Sequence, residues 1–424
     1  MSHNSSSKVH SAKNRKIEEY LAYAVGIASN NGRYKCRPYD KIKRDFDWDY
    51  LLNQARKNTV SPLLYFSLKE EKKNLPKEFF EEIKKDYYQT LARNILIQEE
   101  IKPILQSFEE KKIKVILLKG VALGITAYPS PGLRPMSDVD ILVKDNDLLK
   151  VNHVLNRAGY FSADINPEDL ELPPHPTPSP LRGEEGKERG IGYLTTLDYR
   201  NKNLSLHLHR HLVNSTVPNF SYISKIRMVK IFEKAKIVEK DGMKFLTLCP
   251  EHLIIYLCEH SLRVPHSLSK LIFLTDISQV IRYYRNEIDW GFLIKESYNF
   301  GLEKMVYYGL FAVNKTLGTR IPTEVLPSLK PRRFTLSEKI FLFLLSKNRR
   351  APGYSYLIHL AMNRNLKEKI RFIYRTLFPP KKILAQRNYI PESRVSYLHY
   401  LRRGREVLRH LCHSAMNRTA TFLL

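Results

Sequence analysis

The sequence predicts an α+β protein in which short strands in the middle of the chain lie between two helical regions. Apolar residues recur three or four positions apart through residues 79–108, as on one face of a helix. Short aliphatic runs follow between residues 113 and 248, and from Pro250 the helical period returns. With 424 residues, 43% of them hydrophobic, the chain is large enough for two or three domains and a buried core.

The N-terminal region is expected to span residues 1–112 and to be helical. Tyr87, Leu91, Ile95 and Ile101 follow the spacing of a helix that buries one face. The N-terminus lacks the apolar segment of a secretory signal, and no apolar run approaches the roughly 18 residues of a membrane span. Four scattered cysteines form no CxxC pair, so we expect a reduced, cytoplasmic protein without a structural zinc site.

The central region, residues 113–248, is expected to hold the strands. Two runs of strictly alternating apolar and polar residues, separated by Asn201–Asn203, predict a hairpin. The predicted strands are Ile113–Lys119, Asp138–Val143, Tyr193–Arg200, Leu204–Leu212 and Lys244–Leu248, and the predicted helices between them are Val121–Tyr128 and Asp145–Tyr160.

Residues 166–189 interrupt this central region with a different composition. Six of the 23 prolines of the chain fall within this segment. Because proline removes backbone donors, such a composition cannot build a packed helix or strand. The sequence therefore predicts a disordered insertion between two strands.

Residues 249–424 are expected to form a helical region that ends in a basic tail. The chain carries 70 Lys+Arg against 43 Asp+Glu, a net charge of +27, and residues 364–424 hold 14 Lys/Arg against three Glu. The spacing of Arg402, Arg405 and Arg409 puts all three on one helical face. This charge favours a polyanionic partner such as nucleic acid, nucleotide or acidic lipid, although a solvated basic surface explains it equally well.

The pattern that indicates chemistry is Lys119-Gly120 and, after seventeen intervening residues, Asp138-Val139-Asp140, with Arg134 just before the aspartates. On a strand, Asp138 and Asp140 point to the same face, where two carboxylates repel unless a cation such as Mg²⁺ or Mn²⁺ lies between them. Gly120 ends a strand and starts a helix, so backbone N–H groups there can hold phosphate, and Lys119 and Arg134 can neutralise it. An exposed strand face is the alternative explanation for an isolated pair of aspartates.

The segments LLKGVAL (117–123) and LRPMSDVDILV (133–143) resemble the nucleotidyltransferase superfamily, which has the fold of DNA polymerase β. Within it, the chain is similar to a large uncharacterised bacterial nucleotidyltransferase family. Members of that family carry K-G, then R-x-x-S-D-[IV]-D, then a strand with a histidine motif. The similarity extends over most of residues 15–410. It implies a polymerase β-like core, a small mixed sheet with helices.

The resemblance also implies an activity. Such an enzyme transfers a nucleoside monophosphate from a nucleoside triphosphate to a hydroxyl or phosphate acceptor, with Mg²⁺ or Mn²⁺ as the cofactor. Asp138 and Asp140 would hold two metal ions that clamp the attacking and leaving oxygens. Nucleotide binding would fall to Lys119, Gly120, Arg134 and Ser137. The acceptor is not indicated, and nucleic acid at the basic C-terminal region is one candidate partner.

The sequence departs from the superfamily in two places. Val121 stands where the superfamily usually has glycine or serine. The run Leu204–Leu212 lacks the third carboxylate, usually the activating base, that belongs on this strand. His207 falls at that position and His209 matches the histidine of the family, so both are candidate catalytic residues, as a base or as ligands of a softer metal. A polar sheet face is the alternative for these histidines, and Asp198, across the hairpin turn, is a substitute carboxylate.

Two functions therefore fit the sequence. The first is a metal-dependent nucleotidyltransferase, which the intact pair of aspartates and Arg134 favour. The second is a degenerate relative that binds nucleotide or nucleic acid without turnover, which the missing third carboxylate favours.

Overall fold

The computed structural model describes most of the chain. The described residues are 16–26, 46–162, 196–201, 204–213, 223–263, 266, 268, 270–346, 354–363, 366–388, 390 and 392–422. The predicted insertion at residues 166–189 lies outside them. So do the first residues of the predicted strand Tyr193–Arg200 and the turn residues Lys202 and Asn203.

Helices precede, interrupt and follow the strands, so the fold is α+β as the sequence predicts. The N-terminal helices are α1 (16–26), α2 (Trp48–Lys57), α3 (Ser61–Leu68) and α4 (Lys77–Glu110). Among the strands lie α5 (Lys119–Ile125), α6 (Leu148–Arg157) and α7 (Met228–Glu233). The C-terminal helices are α8 (Pro250–Leu262), α9 (Leu271–Tyr283), α10 (Trp290–Phe300), α11 (Glu303–Leu317), α12 (Val325–Leu329), α13 (Leu336–Ser346), α14 (Tyr354–Met362), α15 (Leu366–Leu377), α16 (Lys381–Asn388) and α17 (Tyr397–Phe422).

The strands of the described residues form one mixed sheet in the order β3-β4-β2-β1-β6-β5. Their bounds are β1 Ile116–Leu118, β2 Asp138–Leu142, β3 Thr196–Arg200, β4 Ser205–His209, β5 Lys236–Lys240 and β6 Met243–Thr247. The pairs β2–β4 and β1–β6 are parallel, whereas β1–β2, β3–β4 and β5–β6 are antiparallel. The predicted hairpin between β3 and β4 is therefore confirmed.

The end of α4 sets the start of the sheet. Lys112 has a left-handed φ of 55°, and the N–H of Ile113 reaches back to the carbonyl of Phe108 at 2.8 Å. This cap turns the chain out of the 34-residue helix. Ile113–Val115 form this cap and the connection after it, so β1 begins only at Ile116 and is shorter than the predicted strand. At its other end, Lys119 is the first residue of α5 instead of the last residue of the strand.

The hairpin β5–β6 corrects the prediction of a single strand at Lys244–Leu248. Strand β5, from Lys236 to Lys240, precedes it and forms the edge of the sheet. Asp241 and Gly242 connect the two strands, both with positive φ, as a two-residue hairpin turn requires. The predicted helix Asp145–Tyr160 also differs slightly, since it begins as a 3-10 turn and α6 ends at Arg157.

The two faces of the sheet have different surroundings, because successive side chains on a strand alternate between faces. One face packs against α4 and α6 in a hydrophobic cluster that includes Val139, Ile141, Leu206, Leu208, Leu197 and Tyr199 from the sheet. On the opposite face, Ile116, Leu118 and Leu142 join a larger cluster with the C-terminal helices. The aspartates and histidines of the candidate site lie on this second face, the side of the C-terminal helices, where Asp140 and His209 are buried and Asp138 and His207 stay partly exposed.

The larger cluster contains residues from the N-terminal helices, the sheet and the C-terminal helices. Helices α8 and α11 pack tightly at Gly309, where an added Cβ would lie 2.5 Å from the sulfur of Cys258. A glycine is needed there because any side chain would push the helices apart. Within the described residues, no helix combines the length and apolar character that crossing a membrane requires.

Candidate metal centre

The register of three neighbouring strands brings the acidic and imidazole side chains into one row. Asp140 of β2 lies opposite His207 of β4, and His207 lies opposite Asp198 of β3. Asp138 precedes Asp140 by two residues and shares its face, as its period-two spacing predicts. The face of Asp198, which the sequence left open, is the face of the aspartate pair.

His207 lies among three carboxylates. Its Nδ1 is 3.2 Å from Oδ2 of Asp138 and 3.8 Å from Oδ1 of Asp140, and its Nε2 is 3.7 Å from Oδ1 of Asp198. Burial on its own would lower the pKa of His207, but the hydrogen bonds and charges of Asp138 and Asp140 raise it to about 10. In the absence of a bound cation, a protonated His207 therefore balances the aspartate pair.

Asp140 is the most enclosed carboxylate of the group, with 4% of its surface exposed. Its Oδ1 accepts from Nζ of Lys119 at 2.9 Å and from Nε2 of His209 at 2.7 Å. Burial would raise the pKa of Asp140, but the charge of Lys119 and the hydrogen bonds of His207 and His209 hold it well below its usual value. The Asp140 carboxylate is therefore ionised at neutral pH.

Lys119 reaches Asp140 because β1 ends one residue earlier, at Leu118, whose partner on β2 is Asp140 itself. Lys119 has a φ of 44°, in the left-handed region that side-chain-bearing residues seldom adopt. Such a conformation costs about 1–3 kcal/mol. We relate this backbone strain to the position of the Lys119 ammonium, which contacts the buried carboxylate of Asp140.

Asp138 and His209 occupy opposite ends of the group. Asp138 is the more open carboxylate, and the hydroxyl of Ser137 donates to its Oδ1 at 3.0 Å. Burial would raise the pKa of Asp138, but the hydrogen bond from His207 lowers it below its usual value. His209 is buried, and burial lowers its pKa despite the neighbouring Asp140, so its ring is neutral at pH 7 and donates Nε2–H to that carboxylate.

Asp138, Asp140 and His207 can together hold a metal ion. One ligand atom from each lies within 4.8 Å of the other two. Two carboxylate oxygens and one imidazole nitrogen on two paired strands form a rigid donor set that fits a divalent cation. A cation there would replace the proton on His207 as the charge that balances the aspartates.

The predicted nucleotide-binding residues have different environments. Gly120 is buried in the first turn of α5, and Ser137 is exposed beside Asp138. Arg134 is instead engaged by Asp276 of α9, with Nη2 2.8 Å from Oδ2 and Nε 3.2 Å from Oδ1. Burial would lower the pKa of Arg134, but Asp276 raises it above its usual value. The Arg134 guanidinium thus faces a protein carboxylate at its Nε and Nη2 edge.

Sequence reasoning missed the residues that α8 and α9 bring to this region. Asp276 of α9 accepts a third hydrogen bond, from the buried hydroxyl of Tyr128 at 2.7 Å. Tyr256 of α8 is buried, its hydroxyl has no hydrogen-bond partner among the described residues, and burial together with Asp140 raises its pKa. These residues lie more than 100 positions from the aspartate pair, so no local spacing could indicate them.

His260 of α8 and His266 stack on each other with ring centroids 4.5 Å apart. Burial and the charge of Lys119 are among the causes that lower the pKa of each imidazole, to about 3 for His266. Both rings are therefore neutral aromatic surfaces near the charged group.

The basic C-terminal face predicted from the sequence lies on α17. Arg402, Arg405 and Arg409 are all exposed, as their spacing predicts.

Comparison with known proteins adds the family. A search of curated proteins finds no match. A family model described as "uncharacterised nucleotidyltransferase" matches residues 44–318, which is more than half of the chain and includes the whole sheet and the aspartate pair. The resemblance noted from the two sequence segments is therefore confirmed, and the chain belongs to this uncharacterised nucleotidyltransferase family.

Proposed function

We propose that this chain transfers a nucleoside monophosphate from a nucleoside triphosphate to an acceptor, in a reaction that depends on a divalent metal ion. The observation that carries the proposal is the converging group of Asp138, Asp140 and His207 on one sheet face, in a chain of a nucleotidyltransferase family. Asp138 and Asp140 would hold Mg²⁺ or Mn²⁺.

The bound ion would neutralise phosphate oxygens and favour the ionised form of the attacking hydroxyl. The other residues act on the substrate and on each other. Lys119 lies 2.9 Å from Asp140, so its ammonium can also meet a phosphate oxygen that approaches this carboxylate. His209 donates to Asp140 and keeps its oxygen oriented, which makes His209 a positioning residue in this proposal. Ser137 and Gly120 are proposed to contact the triphosphate.

Arg134 has a different part in the proposal. Two of its nitrogens are bound by Asp276, and its Nη1 also donates to the carbonyl of Pro135 at 3.0 Å. Its positive charge lies beside Gly120, because a Cβ on that glycine would be 2.8 Å from Nη1. We propose that Arg134 supports the loop before β2 and adds positive potential to the phosphate site.

The test is a label-transfer assay on the full chain. Each α-³²P-labelled nucleoside triphosphate is incubated with Mg²⁺ or Mn²⁺ and with protein, RNA, sugar and small-molecule acceptors. Asp138→Asn and Asp140→Asn are each expected to reduce transfer at least about 100-fold, since each removes a charged metal ligand. Asp241→Asn, in the β5–β6 turn, is the matched control and is expected to retain activity. Transfer that survives both site changes would contradict the metal assignment.

The second candidate, binding without turnover, is favoured by the imidazole at the third position of the group. It predicts that a labelled triphosphate binds in equilibrium dialysis, with affinity reduced by Asp138→Asn, while no acceptor is labelled. Transfer of label to any acceptor by the unaltered chain, lost in Asp138→Asn, would exclude this candidate.

Nucleic acid is the proposed macromolecular partner of the exposed arginines of α17. Binding of a polynucleotide that neutralises these charges should weaken steeply as salt rises, because condensed counterions are released on binding. Replacing Arg402, Arg405 and Arg409 with glutamine is expected to reduce the slope of log affinity against log salt concentration by the contribution of about three charges. A salt dependence that is unchanged in the triple variant would remove this surface as the binding site.

A further inference from the structure

The third member of the metal group is an imidazole, and a fourth side chain lies directly behind it. His207 directs Nδ1 towards Asp138 and Asp140, whereas its Nε2 is 3.7 Å from Oδ1 of Asp198. Asp198 occupies this place because the β3–β4 register pairs it with His207. The two ring nitrogens thus have separate environments, one facing the donor group and the other facing a carboxylate.

A carboxylate on the far side of the ring from the ion is what orients a histidine for metal binding, and Asp198 lies on that side of His207 at ion-pair distance. Histidine ligands generally donate their second ring N–H to a carboxylate or carbonyl, which fixes the tautomer and makes the free nitrogen more basic. A proton on Nε2 would face Asp198, which lies 3.7 Å away, at ion-pair rather than hydrogen-bond distance, and the Nδ1 lone pair of His207 would then face Asp138 and Asp140.

The donor set also selects among metal ions. Mg²⁺ prefers an octahedral shell of hard oxygen donors, whereas imidazole nitrogen suits first-row transition ions. The local charges agree with a divalent ion: the carboxylates of Asp138, Asp140 and Asp198 against the ammonium of Lys119 give −3 + 1 = −2 when His207 is neutral.

We propose that this centre binds a first-row transition ion such as Mn²⁺ in preference to Mg²⁺, through Asp138, Asp140 and Nδ1 of His207, and that Asp198 is the positioning residue for that imidazole. The inference rests on the proposed function for the presence of a metal, but it concerns which ion binds and which atoms hold it. Binding can therefore be measured without nucleotide, acceptor or turnover.

The experiment is a Mn²⁺ titration of the full chain followed by electron paramagnetic resonance, with Mg²⁺ as competitor. Mn²⁺ is expected to bind one class of site, at least about tenfold more tightly than Mg²⁺. Electron spin-echo modulation from a directly bound ¹⁴N is expected in the unaltered chain and absent in His207→Asp. In that variant the three proposed donors are all carboxylates, so the Mn²⁺-to-Mg²⁺ affinity ratio should fall about tenfold.

Asp198 is tested by a separate variant, since its effect is indirect. Asp198→Asn is expected to weaken Mn²⁺ binding about 10–100-fold while the ¹⁴N modulation persists at saturation, and Asp198→Glu to restore part of the affinity. Exposed His153→Asp and Asp241→Asn are the matched controls. Urea unfolding of each variant verifies that it is folded.

The outcomes separate this inference from the proposed function. Equal or tighter binding of Mg²⁺, or no ¹⁴N modulation in the unaltered chain, would overturn the assignment of the ion and of His207 even if label transfer occurs. Mn²⁺ binding with ¹⁴N modulation would support it even if no acceptor is labelled. Unchanged affinity in Asp198→Asn would overturn the positioning role.

Discussion

The buried pair of Arg134 and Asp276 makes a stability prediction whose size follows from its geometry. The Asp276 side chain is 3% exposed and that of Arg134 is 14% exposed. The carboxylate accepts three hydrogen bonds, two from Arg134 and one from Tyr128. Asp276→Asn keeps one acceptor oxygen but leaves the guanidinium without its counter-charge. Breaking such a pair from one side costs about 3–5 kcal/mol, a large part of a typical 5–15 kcal/mol stability.

The assay is urea unfolding at pH 7, followed by circular dichroism. Arg134→Met combined with Asp276→Asn is the control, because it removes the stranded charge. The double variant should be more stable than Asp276→Asn alone, since an apolar replacement of a buried pair is often tolerated. A loss below about 1 kcal/mol in Asp276→Asn would refute the reasoning. It would mean that water solvates the guanidinium, which would then be free to bind phosphate directly.

Three further predictions concern other parts of the chain. Gly120→Ala places a Cβ 2.8 Å from Nη1 of Arg134, which Asp276 holds in place; the overpacking should cost about 1–3 kcal/mol in urea unfolding, and no loss would mean that Arg134 moves freely. Burial and Arg263 lower the pKa of His359 to about 3, so below about pH 6.5 the unfolded state takes up a proton that the folded state does not, and stability falls as the pH falls. At pH 5 this loss of stability is about 2 kcal/mol relative to pH 7. His359→Phe should therefore reduce the difference between the urea midpoints measured at the two pH values. An unchanged difference would count against the lowered pKa of His359. Deleting residues 166–189 should shift the melting temperature by only a few degrees, because loop length contributes little closure entropy, and a large drop in calorimetry would contradict the predicted insertion.

The local part of the site could be predicted because it depends on short-range geometry. Alternation along a strand places Asp138 and Asp140 on one face wherever the strand lies. The face of Asp198 could not be predicted, because it depends on the register of the β3–β4 hairpin. The sequence does not fix the length of the turn of that hairpin to within one residue. A shift of one residue would have turned Asp198 towards the hydrophobic cluster under the sheet.

Strand β5 was missed for a different reason. Lys236–Lys240 lies at the edge of the sheet, so the strand needs few apolar residues and shows little alternation. The signal that could have indicated it is Asp241-Gly242, a residue pair typical of two-residue hairpin turns. Because the pair precedes a predicted strand, it implies a partner strand before it.

The partners of Arg134 were beyond sequence reasoning altogether. Asp276 follows it by 142 residues and lies on a helix of the C-terminal region. The motif indicates that a positive charge lies near the site at Arg134, but it does not indicate which group that charge contacts. A contact of Arg134 with phosphate stays a prediction, and the fold adds a protein carboxylate at the Nε and Nη2 edge of the guanidinium that the motif does not indicate.

The parallel pairing of β1 with β6 has a consequence for how the chain is made. Leu246 is the partner of Ile116 and follows it by 130 positions. During synthesis, the hydrogen-bonding edge of β1 stays open until that late strand has left the ribosome, and closing so long a loop is slow. Nascent chains that end before residue 243 should therefore bind chaperones or aggregate, and the aspartate face should become ordered only after translation is well advanced.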